Sequence, residues 1–104
     1  MKKPLTATAL MLAFAGVLCV MPAQASEKLA QRHNCLSCHS VDKKMVGPAF
    51  RDVSRKYRGQ SVQETLVAKV KEGGAGNFGP IPMPPNAGVS DADIQKLVKW
   101  ILSL

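Results

Sequence analysis

Apolar residues recur at helical spacing in four stretches of this chain, and no stretch alternates with the period of two that marks a half-buried strand. The last is the clearest. Ile94, Leu97, Val98, Ile101 and Leu102 fall on one face, Ser90 stands ready as N-cap, and Asp91 and Asp93 suit the positive first turn. Trp100 lies beside that face. Upstream, Leu66, Val67 and Val70 predict a helix opened by a Ser61–Glu64 capping box and ended by Gly73-Gly74. Val46, Phe50, Val53 and Tyr57 form a third stripe, with Pro48 suited to opening a short helix that runs to about Tyr57. The first helix is expected from Ser26, as N-cap, to about Cys38, with Leu29 and Ala30 as its apolar side. The fold class is therefore all-α, with about four helices.

Two regions break the pattern. Residues 73–88 hold five glycines and four prolines. A loop this long is uncommon in a compact domain unless it serves a function, and its prolines make it stiff rather than disordered. At the other end, Lys2 and Lys3 precede an uncharged apolar run, Leu5 to Val20, and Ala23-Gln24-Ala25 supplies an A-x-A cleavage site. Residues 1–25 thus read as a cleaved secretory signal peptide, which would remove Cys19, and residues 26–104 as one small domain. A retained membrane anchor is the competing reading, marginal in length for a span of about 20 residues.

The chemistry lies in Cys35-Leu36-Ser37-Cys38-His39. C-x-x-C-H is the attachment signature of c-type haem: two thiols one helical turn apart can add to the two vinyl groups of one haem edge, and the next residue is an imidazole placed to ligate the iron. A thioredoxin-like pair would call for a βαβ context, and a zinc site for a second, distant pair of ligands; neither is present. His33, also near the motif, reads as a surface histidine. Once the leader is removed, Cys35 and Cys38 are the remaining cysteines, so a chain of 79 residues has no structural disulfide and needs the haem as its staple. Of the two methionines that remain, Met83 sits in the stiff loop and suits an axial thioether ligand; Met45 is too close in sequence to His39 to reach the opposite haem face easily.

Charge narrows the partners. The 26–104 segment carries twelve basic and seven acidic side chains, a net charge of +5, with Lys43 and Lys44 shortly after the haem motif. This favours redox proteins with acidic docking surfaces. Export takes the chain away from most nucleic acid, so no nucleic-acid partner is expected.

The sequence resembles the small bacterial class I cytochromes c of the c-551 type across essentially all of residues 26–104. Beyond the pentapeptide, the resemblance rests on Met45-Val46-Gly47-Pro48-Ala49, on Gly79-Pro80-Ile81-Pro82-Met83-Pro84-Pro85-Asn86, and on Lys99-Trp100-Ile101-Leu102-Ser103. It implies four helices around one covalent haem, with His39 and Met83 as axial ligands. It also implies that the Pro48 carbonyl accepts a hydrogen bond from His39, and that the Asn86 amide bonds the methionine sulfur. Two positions depart from the pattern. Phe78 stands where a tryptophan often donates to a haem propionate, and Lys69 where an arginine commonly does.

The function expected is that of a periplasmic electron carrier and not an enzyme: with both axial positions filled, no site is open to substrate. The mature chain is expected to be a monomer without a membrane span. The rival is a haem enzyme or gas sensor in which Met83 leaves the iron.

Overall fold

The computed structural model describes residues 1–4, 9–17 and 22–104. Helix α1 spans Pro22–Arg32, a short 3-10 turn spans Cys35–Ser37, and α2, α3 and α4 span Phe50–Lys56, Gln63–Glu72 and Asp91–Ser103. No strand occurs among the described residues; the one extended pairing is an antiparallel bridge between Gly74 and Met83. The domain is all-α, as its periodicity predicts.

Helix α4 is the organising element, because α1, α2 and α3 all pack against it. Its apolar stripe is wide enough to serve two clusters. Leu97 and Trp100 meet Leu29 and Ala30 of α1 and Phe50 of α2. Ile94 and Val98, both almost fully buried, meet Leu66 and Val67 of α3. Polar contacts fix the packing: the buried Ser54 hydroxyl donates to the Leu102 carbonyl at 3.2 Å, tying α2 to the end of α4. Ser90 caps α4 as expected, accepting from the Asp93 amide at 3.2 Å.

Four boundaries differ from the sequence reading. Helix α1 begins at Pro22 rather than Ser26, using proline at its first position, where a missing N–H costs nothing. It ends at Arg32 rather than Cys38, because Asn34 turns left-handed with φ 59° and sets the cysteines on their own turn. The Ser61–Glu64 capping box does not form. The N-cap position falls on Val62, one residue late for that pairing, and Glu64 instead accepts from the Gln95 amide of α4 at 3.2 Å. Pro48 precedes α2 instead of opening it, and Val46, outside the helix, is 56 % exposed rather than part of a buried stripe.

Of the leader, residues 9–17 form no helix or strand, and Leu10, Met11, Leu12, Phe14 and Val17 are exposed. Residues 5–8 and 18–21, including Cys19, lie outside the described residues. No helix among the described residues is long and apolar enough to cross a membrane.

Candidate haem site

The left-handed Asn34 starts the site. It redirects the chain into the Cys35–Ser37 turn, whose bonds run from the Cys38 and His39 amides to the Cys35 carbonyl at 3.2 and 3.0 Å. Both thiols are free and half-buried. Burial pushes the Cys35 thiol above its ordinary pKa, a backbone hydrogen bond partly opposing the shift.

The next segment folds back on this turn. The Gly47 amide donates to the Cys38 carbonyl at 2.8 Å, Phe50 to Ser40 at 2.9 Å, and Arg51 to Val41 at 3.1 Å. That return brings the Pro48 carbonyl to 2.8 Å from His39 Nδ1. A carbonyl only accepts, so Nδ1 carries the proton and Nε2 keeps its lone pair for a ligand. Two further contacts fix the ring. Phe50 stacks on it with centroids 5.0 Å apart and planes 20° apart, and Phe50 in turn meets Trp100 edge-on at 5.5 Å. On Gly47, a Cβ would come within 2.5 Å of His39 Cε1. Gly47 is thus part of the site, although in the sequence it signals only a turn.

Met83 is placed differently. Its amide donates to the Gly74 carbonyl and its carbonyl accepts from the Gly74 amide, both at 2.9 Å. Gly73, at φ 74°, permits the close approach: a Cβ there would collide with the Met83 carbonyl and with backbone atoms of Pro84 and Pro85. The glycines that end α3 therefore also set the register of the methionine. Asn86 closes the base of the loop. Its backbone amide bonds the Val70 and Lys71 carbonyls, and its side-chain amide donates to Val70 at 3.0 Å and Pro84 at 3.3 Å. In this arrangement the amide serves the loop backbone, and no bond from it to the Met83 sulfur is formed.

All four residues expected to hold the haem line one space. Cys35, Cys38, His39 and Met83 line a cavity of about 370 Å³, closed by Val53 of α2 and Tyr57 just beyond it, Leu66 and Val70 of α3, and Leu97, Val98 and Ile101 of α4. Pro48 lines it too. The lining is mainly apolar, and Lys44 and Lys69 are its cationic members. These residues fit a haem held by two thioethers. No group of three or more His, Cys, Asp or Glu side chains able to hold a bare metal ion occurs among the described residues.

His33 lies apart from this cavity. It is half-buried rather than a free surface group, with Nε2 2.9 Å from Asp93 Oδ2, and it links the end of α1 to the start of α4. Met45 is 48 % exposed and does not line the cavity.

A small all-α domain that turns two thiols, an imidazole and a thioether toward one apolar cavity defines a covalent haem protein. Comparison with known proteins agrees. The profile of the Cytochrome c family matches residues 23–104. Cytochrome c-551 of Allochromatium vinosum is 52 % identical over 94 residues, covering 89 % of this chain and 100 % of that protein. Cytochrome c-551 of Pseudomonas aeruginosa is 50 % identical over 82 residues, 78 % of each chain. The crystal structure of wild-type cytochrome c552 from Nitrosomonas europaea superposes with a TM-score of 0.72 at 47 % identity, covering 75 % of this chain and 98 % of that one. The chain belongs to the cytochrome c family. It is an electron-transfer haem protein carrying one covalently attached c-type haem.

Proposed function

We propose that the chain is a periplasmic one-electron carrier, attached to haem through Cys35 and Cys38, with His39 and Met83 as the axial ligands of the iron. The observation that carries this reading is the meeting of these four side chains at one cavity, with His39 Nδ1 already occupied by Pro48 so that Nε2 is the nitrogen available. Bound haem supplies reversible one-electron exchange at its iron. The protein's part is to fix both donors, to surround the group with apolar side chains, and to leave no open position for a substrate, which argues against enzymatic activity. The Pro48 bond orients the imidazole and raises its basicity. Thioether ligation by Met83 favours the reduced iron.

Export is supported by the basic start, the uncharged apolar run and the Ala23-Gln24-Ala25 site. The apolar residues described within 9–17 are exposed, as suits a segment that is removed. Cleavage after Ala25 would leave residues 26–32 to begin α1 in the mature domain 26–104. Partners are redox proteins with acidic docking surfaces, met by the exposed rim of the cavity, to which Val46, Phe78, Ile81 and Lys44 contribute. The mature chain is taken to be a monomer, with no nucleic-acid partner. Lys69, half-buried at the cavity, is the cation placed to meet a propionate, whereas Phe78 has no donor to offer.

Carbon monoxide tests the ligand set. The ferrous wild-type protein is expected to bind it weakly or not at all near neutral pH, and Met83→Ala to bind it readily and to show a lower reduction potential. Rapid binding by the wild type would overturn the reading in favour of a gas sensor or haem enzyme.

A further inference from the structure

The base of the 73–88 loop is held by the Gly74–Met83 pair and by Asn86, but its tip, residues 75–82, is exposed throughout. A side chain from outside the loop grips that tip. Lys56, the last residue of α2, donates from Nζ to the Asn77 carbonyl. The same ammonium lies 4.4 Å from the centroid of the Phe78 ring and 5.8 Å from that of Tyr57. The two rings meet edge to face, 6.3 Å apart at 77°. The tip is shaped to receive it: the Gly76 amide donates to the Gly79 carbonyl at 2.9 Å, and both glycines have positive φ, so Asn77 and Phe78 project from a tight turn.

We propose that Lys56 is a positioning residue for Met83, a latch that pins the loop tip to α2 and so slows departure of the sulfur; this rests on the reading of Met83 as an iron ligand. The latch combines two electron-rich acceptors for one cation, a backbone carbonyl and an aromatic face. Lys56 has no carboxylate partner among the ion pairs of the described residues, so nothing there competes for the ammonium. Transmission to Met83 is short. Between Phe78 and Met83 lie Gly79, Pro80, Ile81 and Pro82, and the fixed φ angles of the two prolines stiffen the path from the tip to the ligand. Phenylalanine at 78 serves this role well, because its apolar ring is free to carry the cation.

The test uses the haem-loaded oxidised protein and imidazole at about pH 8.5, where the probe is mostly neutral and its approach is little affected by the charge removed. If displacement waits on Met83 leaving, Lys56→Ala should take up imidazole about fivefold faster, and Lys56→Arg, which keeps both contacts, at close to the wild-type rate. Hydrogen exchange at the Gly76 and Met83 amides should quicken in Lys56→Ala while the α4 amides stay unchanged. Wild-type rates of uptake and exchange in Lys56→Ala would overturn the latch, as would equal quickening in α4 or no rescue by arginine. Met83→Ala separates this from failure of the ligand reading. Imidazole uptake by Met83→Ala identical to wild type would refute Met83 as ligand, whereas a failed latch leaves the Met83→Ala effect intact and removes only that of Lys56.

Discussion

The two halves of the site are built on different principles. His39 is held by packing: Pro48 binds one ring nitrogen, Gly47 lies against the ring, and Phe50 stacks on it while buried in the cluster with Trp100 and Leu97. Met83 is held by backbone bonds and stiffness: a two-bond bridge to Gly74, prolines on both sides, and the Asn86 clasp to the end of α3. The first half is continuous with the core, and the second stands on an exposed loop. Opening the imidazole side therefore means disrupting global packing, whereas the thioether side can open locally, as segments with few buried apolar contacts generally do.

Substitutions on the two sides should separate accordingly. The largest loss is expected from Phe50→Ala, which empties the contact between His39 and Trp100 and should cost about 4 kcal/mol in denaturant unfolding of the haem-loaded protein. Gly47→Ala should cost about 2 kcal/mol, because the ring it meets is itself backed by Phe50 and cannot move away. In both cases the unfolding midpoint should fall without a separate, earlier loss of the sulfur-to-iron absorption band. Gly73→Ala belongs to the other class. An alanine held at φ 74° and ψ −162°, a region open essentially only to glycine, costs about 1–3 kcal/mol and its methyl displaces the Met83 carbonyl, so that band should fade well before the helices melt. Asn86→Ala removes two side-chain bonds and should cost about 1 kcal/mol, again seen first in the band. Met45→Leu, at an exposed position off the cavity, should change stability by less than about 0.5 kcal/mol and leave the potential unmoved. A Gly73→Ala protein that lost helices and band together would break the contrast.

Much of this was legible along the chain. The C-x-x-C-H pentapeptide stands out by its spacing, α4 by its clean stripe and cap, and the stiff 73–88 loop by its prolines. What was not legible depends on residues distant in sequence. Gly47 reads as a turn former, yet it is required by a ring eight positions earlier. Phe50 reads as one apolar residue in a stripe, yet it joins His39 to Trp100. The left-handed Asn34 overrides a helical pattern that would otherwise continue into Cys38. The Gly73-Gly74 pair was read correctly as a helix end, but its bridge to Met83 exists only once the loop closes. The capping box fails because the helix starts one residue later than Ser61 requires, and Glu64 accepts from Gln95 of α4 instead.

The most direct test of the two-sided site is the proton spectrum of the reduced, haem-loaded protein. The methyl of a methionine whose sulfur binds the iron sits over the macrocycle and is shielded by its ring current, so one methyl resonance should lie far upfield of all others. It should vanish in Met83→Leu and persist unchanged in Met45→Leu. An upfield methyl that survives Met83→Leu, or its absence from the wild type, would contradict the assignment of Met83 to the iron.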